Sequence, residues 1–539
     1  MTVARTVHRE AFSSRTVFIL AAIGSAVGLG NIWRYPYVAY SSGGGAFLIP
    51  YLVALLTAGI PLLFLDYALG HKFRGSPPLA FRRLSRWTEP FGWVQVLMCL
   101  AIATFYACVI AWAASYAWFS LTLAWGDDAE AFFAGTFLQQ GEATMFGGLV
   151  PTVAIPLVLV WVVNIAIVAI GVERGIGRLN RFLLPLLIAL FIGLVIRSLF
   201  LPGAMAGLDA FFTPNWAALG DPQVWIAAYG QIFFSLSVAF GAMLTYASHL
   251  KRRTNLTASG LVVGFSNSAF EVLAGIGVFA ALGFLAAQSG VPVSEAAAGG
   301  PGLAFVAFPT LISQMPFGQI FGSLFFLTLV FAGITSLVSI LQPPAMAISE
   351  KFGISHRAAT LSVGTVAAIV SISIFPTTTG LNTLDVVDNW INNVLLVSNT
   401  LVMVVVVVWV VRKTPMLARH LNGVGSFKIG GWWTVCLGIV TPLILGWTAT
   451  QSVITLLRDG YEDLPGALLA TFGWGVVGGI VVLAVLMTFV PWRNEDHLAA
   501  GVDLDDPREE AEAARVDGPR RDSRSDDGRP HTPSKEDSE

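Results

Sequence analysis

The side chains of this 539-residue chain able to do chemistry are a few hydroxyls, amides and carboxylates set inside otherwise apolar stretches. Asn267 and Glu271 are four apart, which puts an amide and a carboxylate on one helix face. Gln231-Ile-Phe-Phe-Ser-Leu-Ser237, followed by Phe240 and Gly241, sets two hydroxyls among aromatics. Ala332-Gly-Ile-Thr-Ser336 places a hydroxyl pair after a glycine, Asp66 follows Gly59-Ile-Pro61, and Tyr106 stands in Ala103-Thr-Phe-Tyr-Ala107. Hydroxyl, amide and backbone carbonyl oxygens are the hard ligands a desolvated alkali cation requires. Each hydroxyl taken singly is equally served by a bond to its own preceding turn or by gluing two helices together. The case for a site rests on their occurring together.

A further segment points the same way. Gly24-Ser-Ala-Val-Gly-Leu-Gly-Asn-Ile-Trp-Arg-Tyr-Pro36 lies in an apolar run, yet its three glycines each weaken a helix by roughly 0.8–1.0 kcal/mol relative to Ala. Backbone that leaves the helix within a bilayer must line a protein cavity or a water path, because lipid offers no partner for the freed N–H and C=O groups. The segment therefore reads as half of an ion or solute site.

The elements that position these groups are membrane spans. With 55% hydrophobic and 12% charged residues and a mean hydropathy of +0.72, the chain falls outside the soluble globular range. Apolar runs long enough to cross a bilayer lie near 17–40, 46–69, 91–124, 149–171, 181–201, 223–247, 258–288, 317–348, 359–376, 385–411, 431–456 and 466–491, twelve in all. Arg5, Arg9 and Arg15 precede the first, Lys72, Arg74, Arg82, Arg83 and Arg86 follow the second, and Arg174, Arg178 and Arg181 separate the fourth from the fifth. Lys251, Arg252 and Arg253, then Lys351 and Arg357, then Arg412, Lys413, Arg419 and Lys428 continue the alternation. Every second loop is basic, so both termini are expected to be cytoplasmic, in a multi-pass protein of the plasma membrane. This alternation requires the first span to be retained rather than removed as a leader. Cys99, Cys108 and Cys436 fall within spans and read as buried thiols. From Arg493 onward there are 15 acidic and 8 basic residues with scattered Pro and Ser, which reads as a solvated, disordered tail over 493–539.

The broken first span and the polar sixth span each open a five-span unit, 17–201 and 223–411, leaving 1–16 as an N-terminal segment and 431–491 as two extra spans. An odd number of spans inverts the second unit relative to the first, the construction of a secondary transporter with its site at mid-membrane. The expected fold is thus an all-α polytopic membrane protein of twelve transmembrane helices, a five-plus-five inverted repeat with helices 1 and 6 broken. No Cys/His metal spacing, His-Glu-x-x-His run, buried Ser/His/Asp set or phosphate loop argues for an enzyme, and none of the seven histidines falls deep in an expected span.

From Arg9 to about Trp492 the chain resembles the neurotransmitter:sodium symporters, through the Gly24–Pro36 motif, Gly43-Gly-Gly-Ala-Phe-Leu-Ile-Pro-Tyr51, Gln231–Ser237 and Ala332–Ser336. The resemblance implies a first sodium site from Ala26, Asn31, Ser235 and Asn267, completed by the substrate's carboxylate. It implies a second from the carbonyls of Gly24, Val27 and Ala332 and the hydroxyls of Thr335 and Ser336. The substrate carboxylate would meet amides near Leu29 and Gly30 and the hydroxyl of Tyr106, with Ser25, Ala26, Ile102, Phe234, Ser235, Ser237, Phe240, Ser336 and Ile340 around the rest. Aminergic members commonly carry aspartate where Gly28 stands here, so a neutral amino acid with an apolar side chain is favoured over a monoamine. Glu271, with Tyr51 and Gln231, would supply the negative charge that chloride brings to chloride-dependent relatives, making transport chloride-independent; a glutamate bonded to Asn267 for structure alone is the alternative. Arg34 with Asp388 would close the outer gate, and Arg9 with Glu350, helped by Ser248, the inner one.

Departures from the family pattern are Phe12, His249, Glu350, Ala239 and Ser25, which leave the particular amino acid open. The implied function is sodium-coupled import of a neutral amino acid by alternating access, with two Na⁺ and no chloride. A carrier of an amine or osmolyte, or an amino acid sensor, are the competing readings. The expected partners are the small-molecule substrate and the lipid bilayer, with no nucleic acid and with oligomeric state open.

Overall fold

The computed structural model describes residues 10–296, 300–493 and 498, and among them there are helices and no strands. Ten unbroken helices are long and apolar enough to cross a membrane: Gly45–Phe73, Arg86–Phe119, Pro151–Ile170, Val172–Leu199, Leu256–Ser289, Gly318–Phe352, His356–Ile374, Gly380–Val410, Gly431–Arg458 and Gly466–Phe489. An eleventh span is the pair Arg15–Ala26 and Leu29–Ser41, bent by 56°. The stretch expected as the sixth span forms two shorter helices, Pro222–Ser235 and Ala242–Ser248, separated by residues 236–241. The expected spans are therefore all helical, and the two expected to be broken are the two that break. The chain is an all-α polytopic membrane protein.

Burial sorts the spans into layers. The third, seventh and eighth have 78%, 78% and 72% of their most apolar windows buried and form the centre. The fourth, fifth, ninth and twelfth have only 28–39% buried. Their exposed faces are apolar, with Ile155, Phe182, Val366 and Leu486 as examples, which suits hydrocarbon rather than water. The polar residues singled out in the sequence lie in the centre: Asn31, Gln231, Ser235, Asn267, Glu271, Thr335 and Ser336 are all buried.

Two details differ from the expectation. The fifth span starts at Val172 rather than near 181, because a π-helical segment, Val172–Gly177, joins it to the helix from Arg178, so Arg174, Arg178 and Arg181 lie on helix rather than in a loop. The second helix runs on to Phe73 and carries a fully buried His71 near its end, where Nδ1 lies 2.8 Å from His420 Nε2 and Nε2 lies 3.0 Å from the Lys251 carbonyl. A histidine does reach the interior there, in an imidazole pair that leaves few of its polar atoms unmatched. The three cysteines are free and buried.

Candidate functional site

The first break is short and extended. Ser14 accepts from Val17 N to start the first half-helix, and Val27 and Gly28 then leave helical geometry with ψ of 99° and −168°. Asn31 accepts from Gly28 N at 2.9 Å and so caps the second half-helix. Gly28 is required by close approach: a Cβ there would lie 2.9 Å from Tyr106 Oη and 3.0 Å from Ser336 Oγ. The backbone of the break is thereby brought against the third and eighth spans.

The second break is longer and costs more conformationally. Ser237, Ala239 and Gly241 take φ of +53°, +63° and +96°, a region in which only glycine is at ease. Neighbouring spans hold it: Asp66 Oδ2 accepts from Ala239 N at 2.8 Å, Cys99 Sγ donates to Phe240 O at 2.9 Å, and Asn399 Nδ2 donates to Ala239 O at 3.4 Å. Backbone groups freed in a membrane interior need such partners. The sequence reading noticed Asp66 as a carboxylate in an apolar run and Cys99 as a buried thiol, but gave them no role, and it missed Asn399. A carboxylate inside an apolar span, which must find a partner there, was the available signal.

Around these breaks the residues expected to bind sodium and substrate come together in two groups. In one, Asn31 Nδ2 donates to Asn267 Oδ1 at 2.9 Å and Asn267 Nδ2 donates to Ser235 Oγ at 3.0 Å, a polar chain across the first, sixth and seventh spans beside Ala26. In the other, Ser336 Oγ lies 3.4 Å from Gly24 O, 3.2 Å from Ser25 O and 3.4 Å from Val27 O, while Thr335 Oγ1 donates to Phe331 O and Ala332 O at 3.0 Å. Both groups present neutral oxygens drawn from more than one span.

Between them lies a cavity of about 70 Å³. Ser25, Ala26, Gly30, Ile102, Tyr106, Phe234, Ser235, Ser237, Phe240, Ser336 and Ile340, all singled out in the sequence, line it with Gly28, Asn31, Phe105, Asp388, Asn392 and Leu396. Tyr106 Oη accepts from Leu29 N at 3.1 Å, and Ser237 Oγ donates to Ser25 O at 3.2 Å. Leu29 contributes only its backbone, its side chain being buried away from the cavity. Glu271 stands apart from this cavity. It is fully buried, receives hydrogen bonds from Tyr51 Oη and from Gln231 Nε2, the latter at 2.6 Å, and makes none to Asn267, whose amide is engaged by Asn31 and Ser235.

A second cavity of about 200 Å³ opens above the first and shares Gly30, Phe105, Tyr106, Phe234, Asp388 and Asn392 with it. Arg34 and Asp388 both face it, yet among the described residues they form no ion pair within 4.0 Å. The Arg34 guanidinium instead lies 4.6 Å from the Phe234 ring centre, and Asp388 Oδ1 accepts from Asn392 Nδ2 at 2.7 Å.

At the other end the expected inner pair is half visible, Arg9 lying outside the described residues. Glu350 accepts from Ser76 N at 2.9 Å and Ser76 Oγ at 2.6 Å. Ser248 does not assist it as expected. Its hydroxyl turns back to Thr245 O at 2.7 Å, satisfying its own helix end, while its carbonyl accepts from Arg74 at 3.1 Å. Two departures from the family pattern meet here: Phe12 N donates to His249 O at 3.0 Å, and His249 Nδ1 donates to Glu10 O at 2.6 Å.

Two facing helix breaks around an oxygen-lined cavity, inside a bundle of membrane-spanning helices, define a solute transporter rather than an enzyme. The chain belongs to the sodium:neurotransmitter symporter family, whose model matches residues 9–139 and 126–495. It is 39% identical to an uncharacterized sodium-dependent transporter of Methanocaldococcus jannaschii over 90% of this chain and 99% of that protein. It is 33% identical to the sodium- and chloride-dependent GABA transporter 2 of Bos taurus, over 61% of this chain and 60% of that one. Among solved structures, MhsT in complex with L-phenylalanine superposes with a TM-score of 0.70 at 31% identity, covering 83% of this chain and all of MhsT.

Proposed function

We propose that this protein is a symporter that imports a neutral amino acid together with two sodium ions, without chloride, by alternating access across the plasma membrane. The observation that carries the reading is Gly28 itself, which brings no carboxylate to pair with an amine and stands where a Cβ would press on the Tyr106 and Ser336 hydroxyls. An amino acid brings its own carboxylate to the first sodium group, so each ligand raises the other's affinity by the same factor. The amides of the break and the hydroxyl of Tyr106 receive that carboxylate, and the apolar wall of Ile102, Phe234, Phe240 and Ile340 takes the side chain. The solved relative with L-phenylalanine supports an amino acid, while the cavity of about 70 Å³ is smaller than the roughly 150 Å³ that holds a benzene ring. A cavity of that size favours a small side chain over an aromatic one.

The second sodium would bridge the first and eighth spans through Gly24, Val27, Ala332, Thr335 and Ser336. The gradient drives the cycle, the potential adding about 2.3 kcal/mol per elementary charge per 100 mV. Arg34 and Asp388 would approach as the outer vestibule closes, while the contacts of Glu350 would release on the inner side, where both termini would lie. Glu271, built in beside Tyr51 and Gln231, supports chloride independence, although the relatives named above include a chloride-dependent one.

Uptake of radiolabelled neutral amino acids into proteoliposomes, with and without an inward sodium gradient, tests the main claim. Sodium-driven accumulation of at least one is expected, and accumulation of none overturns it. Wild-type uptake should be unchanged when gluconate replaces chloride, whereas Glu271→Ser should acquire a chloride requirement. A Glu271→Ser protein that transports equally well without chloride would refute the charge-substitution idea alone.

A further inference from the structure

The fifth span places an amide against the second sodium group that neither the resemblance nor the motifs assign there. Asn180 lies three residues beyond the π-helical segment Val172–Gly177 and is fully buried. Its Nδ2 donates to Ile176 O at 3.0 Å. That bond fixes the amide's orientation, since a flip would set two acceptor oxygens against each other. Oδ1 is consequently turned the other way, and it has no hydrogen-bond partner among the described residues. It points into the seam between the first and eighth spans: a Cβ built on Gly24 would fall 1.9 Å from Oδ1 and 3.4 Å from Thr335 Cβ. Gly24 and Thr335 are two of the five positions that would hold the second ion.

An unpartnered buried carbonyl oxygen costs of the order of 1–3 kcal/mol, so its place here calls for a partner. The seam is otherwise lined by the Gly24, Val27 and Ala332 carbonyls and by two hydroxyls whose protons are already directed at carbonyls, that of Thr335 at its own helix and that of Ser336 at the first span. Among the described residues neither hydroxyl donates to Oδ1. A cation is the chemical species that would satisfy Oδ1 together with the carbonyl and hydroxyl oxygens that surround it.

We infer that Asn180 Oδ1 contributes to the second sodium group, so that this ion joins the fifth span to the first and eighth. This rests on the reading of that group given above and adds a residue from a third helix to it. A neutral amide oxygen suits the position, because it attracts the ion without leaving a buried charge once the ion departs.

The test needs no substrate. Purified full-length protein is heated in buffers where sodium gluconate progressively replaces potassium gluconate at constant ionic strength, and the sodium concentration giving half of the total rise in Tm is read. Asn180→Leu and, should that variant not fold, Asn180→Ala are expected to raise this concentration about tenfold, as loss of one charge-assisted contact would. Asn180→Asp keeps an acceptor and is expected to leave the concentration unchanged or lower it. If Asn180→Leu or Asn180→Ala lowers Tm in potassium yet keeps the wild-type half-effective sodium concentration, the amide only packs and the inference is overturned. Thr335→Val separates the two levels of the argument. A shift in Thr335→Val with none in the Asn180 variants removes Asn180 alone, whereas no shift in either removes the second sodium group itself.

Discussion

At the end of the bundle that carries the basic loops, Lys351 is wholly buried, with Nζ 2.6 Å from Glu89 Oε1 and 4.5 Å from the ring centre of Trp492. Trp93 Nε1 and Trp492 Nε1 donate to the same Glu89 oxygen at 3.1 and 3.0 Å, and Arg493 N donates to Lys351 O at 3.1 Å. At the opposite end Arg34 and Asp388 are half-buried, face one cavity and do not touch. Opposite charges thus serve two purposes in one chain. Those withdrawn from water with every partner in place brace helix ends that must hold together, because losing one member strands the other in a low dielectric. Those left facing a cavity would have modest net attraction, so under the proposed cycle they would meet and part at little cost. The fully partnered pair lies one residue from Glu350, and the separated pair borders the cavity through Asp388.

The strongest way to break this contrast is Lys351→Ala. It should destabilise the protein by about 3 kcal/mol, the lower end for a broken buried pair because Arg82 remains as a second partner of Glu89. Thermal unfolding in detergent would register a clear fall in Tm, and replacing Lys351 by Met together with Glu89 by Leu should recover much of it. A Lys351→Ala protein as stable as wild type would place this pair in the same class as Arg34 and Asp388.

Acidification should come next in size and act on the same end. Burial, with Lys72 and Arg74 beside it, holds the His420 imidazole down to about 3. The folded state therefore binds its proton less readily than the unfolded chain, whose histidine has a pKa near 6.5. Stability from this group is complete above about pH 6.5 and is lost progressively toward pH 3, amounting to about 2 kcal/mol by pH 5. Melting curves between pH 7 and 5 should show that decline, and His420→Gln should flatten it.

The smallest stability change is expected at the vestibule. Asp388→Asn should move unfolding by less than about 0.5 kcal/mol, yet it should slow closure over bound substrate, seen as faster release of a radiolabelled amino acid from the loaded protein. A large loss of stability in Asp388→Asn would show that the outer pair is structural after all.

Much of this was legible in the sequence because a bilayer makes sequence speak plainly. Apolar runs had to be spans, and polar residues inside them had to have partners, so Asn267, Ser235, Thr335 and Ser336 stood out without any structure. The break at Gly28 was visible for the same reason. What stayed hidden was which distant groups meet. Glu271 is four residues from Asn267, which invited pairing along one helix, but Tyr51 and Gln231 from other spans take its oxygens. Ser248 follows the second half of the broken sixth span, and only the path of the chain shows its hydroxyl satisfying Thr245 instead of Glu350. His71 was taken to lie beyond the span's end, and its pairing with His420, 349 positions away, could not be read from local pattern.

The span pattern and the inventory of polar groups in the apolar interior follow from the residues alone, since hydrophobicity and the cost of unsatisfied backbone in lipid act locally along the chain, and the family follows from its short motifs. Packing between distant helices set Arg34 apart from Asp388, gave Glu350 the Ser76 amide and hydroxyl, and turned the Asn180 oxygen toward Gly24. Those outcomes depend on contacts between helices far apart in sequence, where differences of a few kcal/mol in packing and hydrogen bonding choose among partners of the same chemical type.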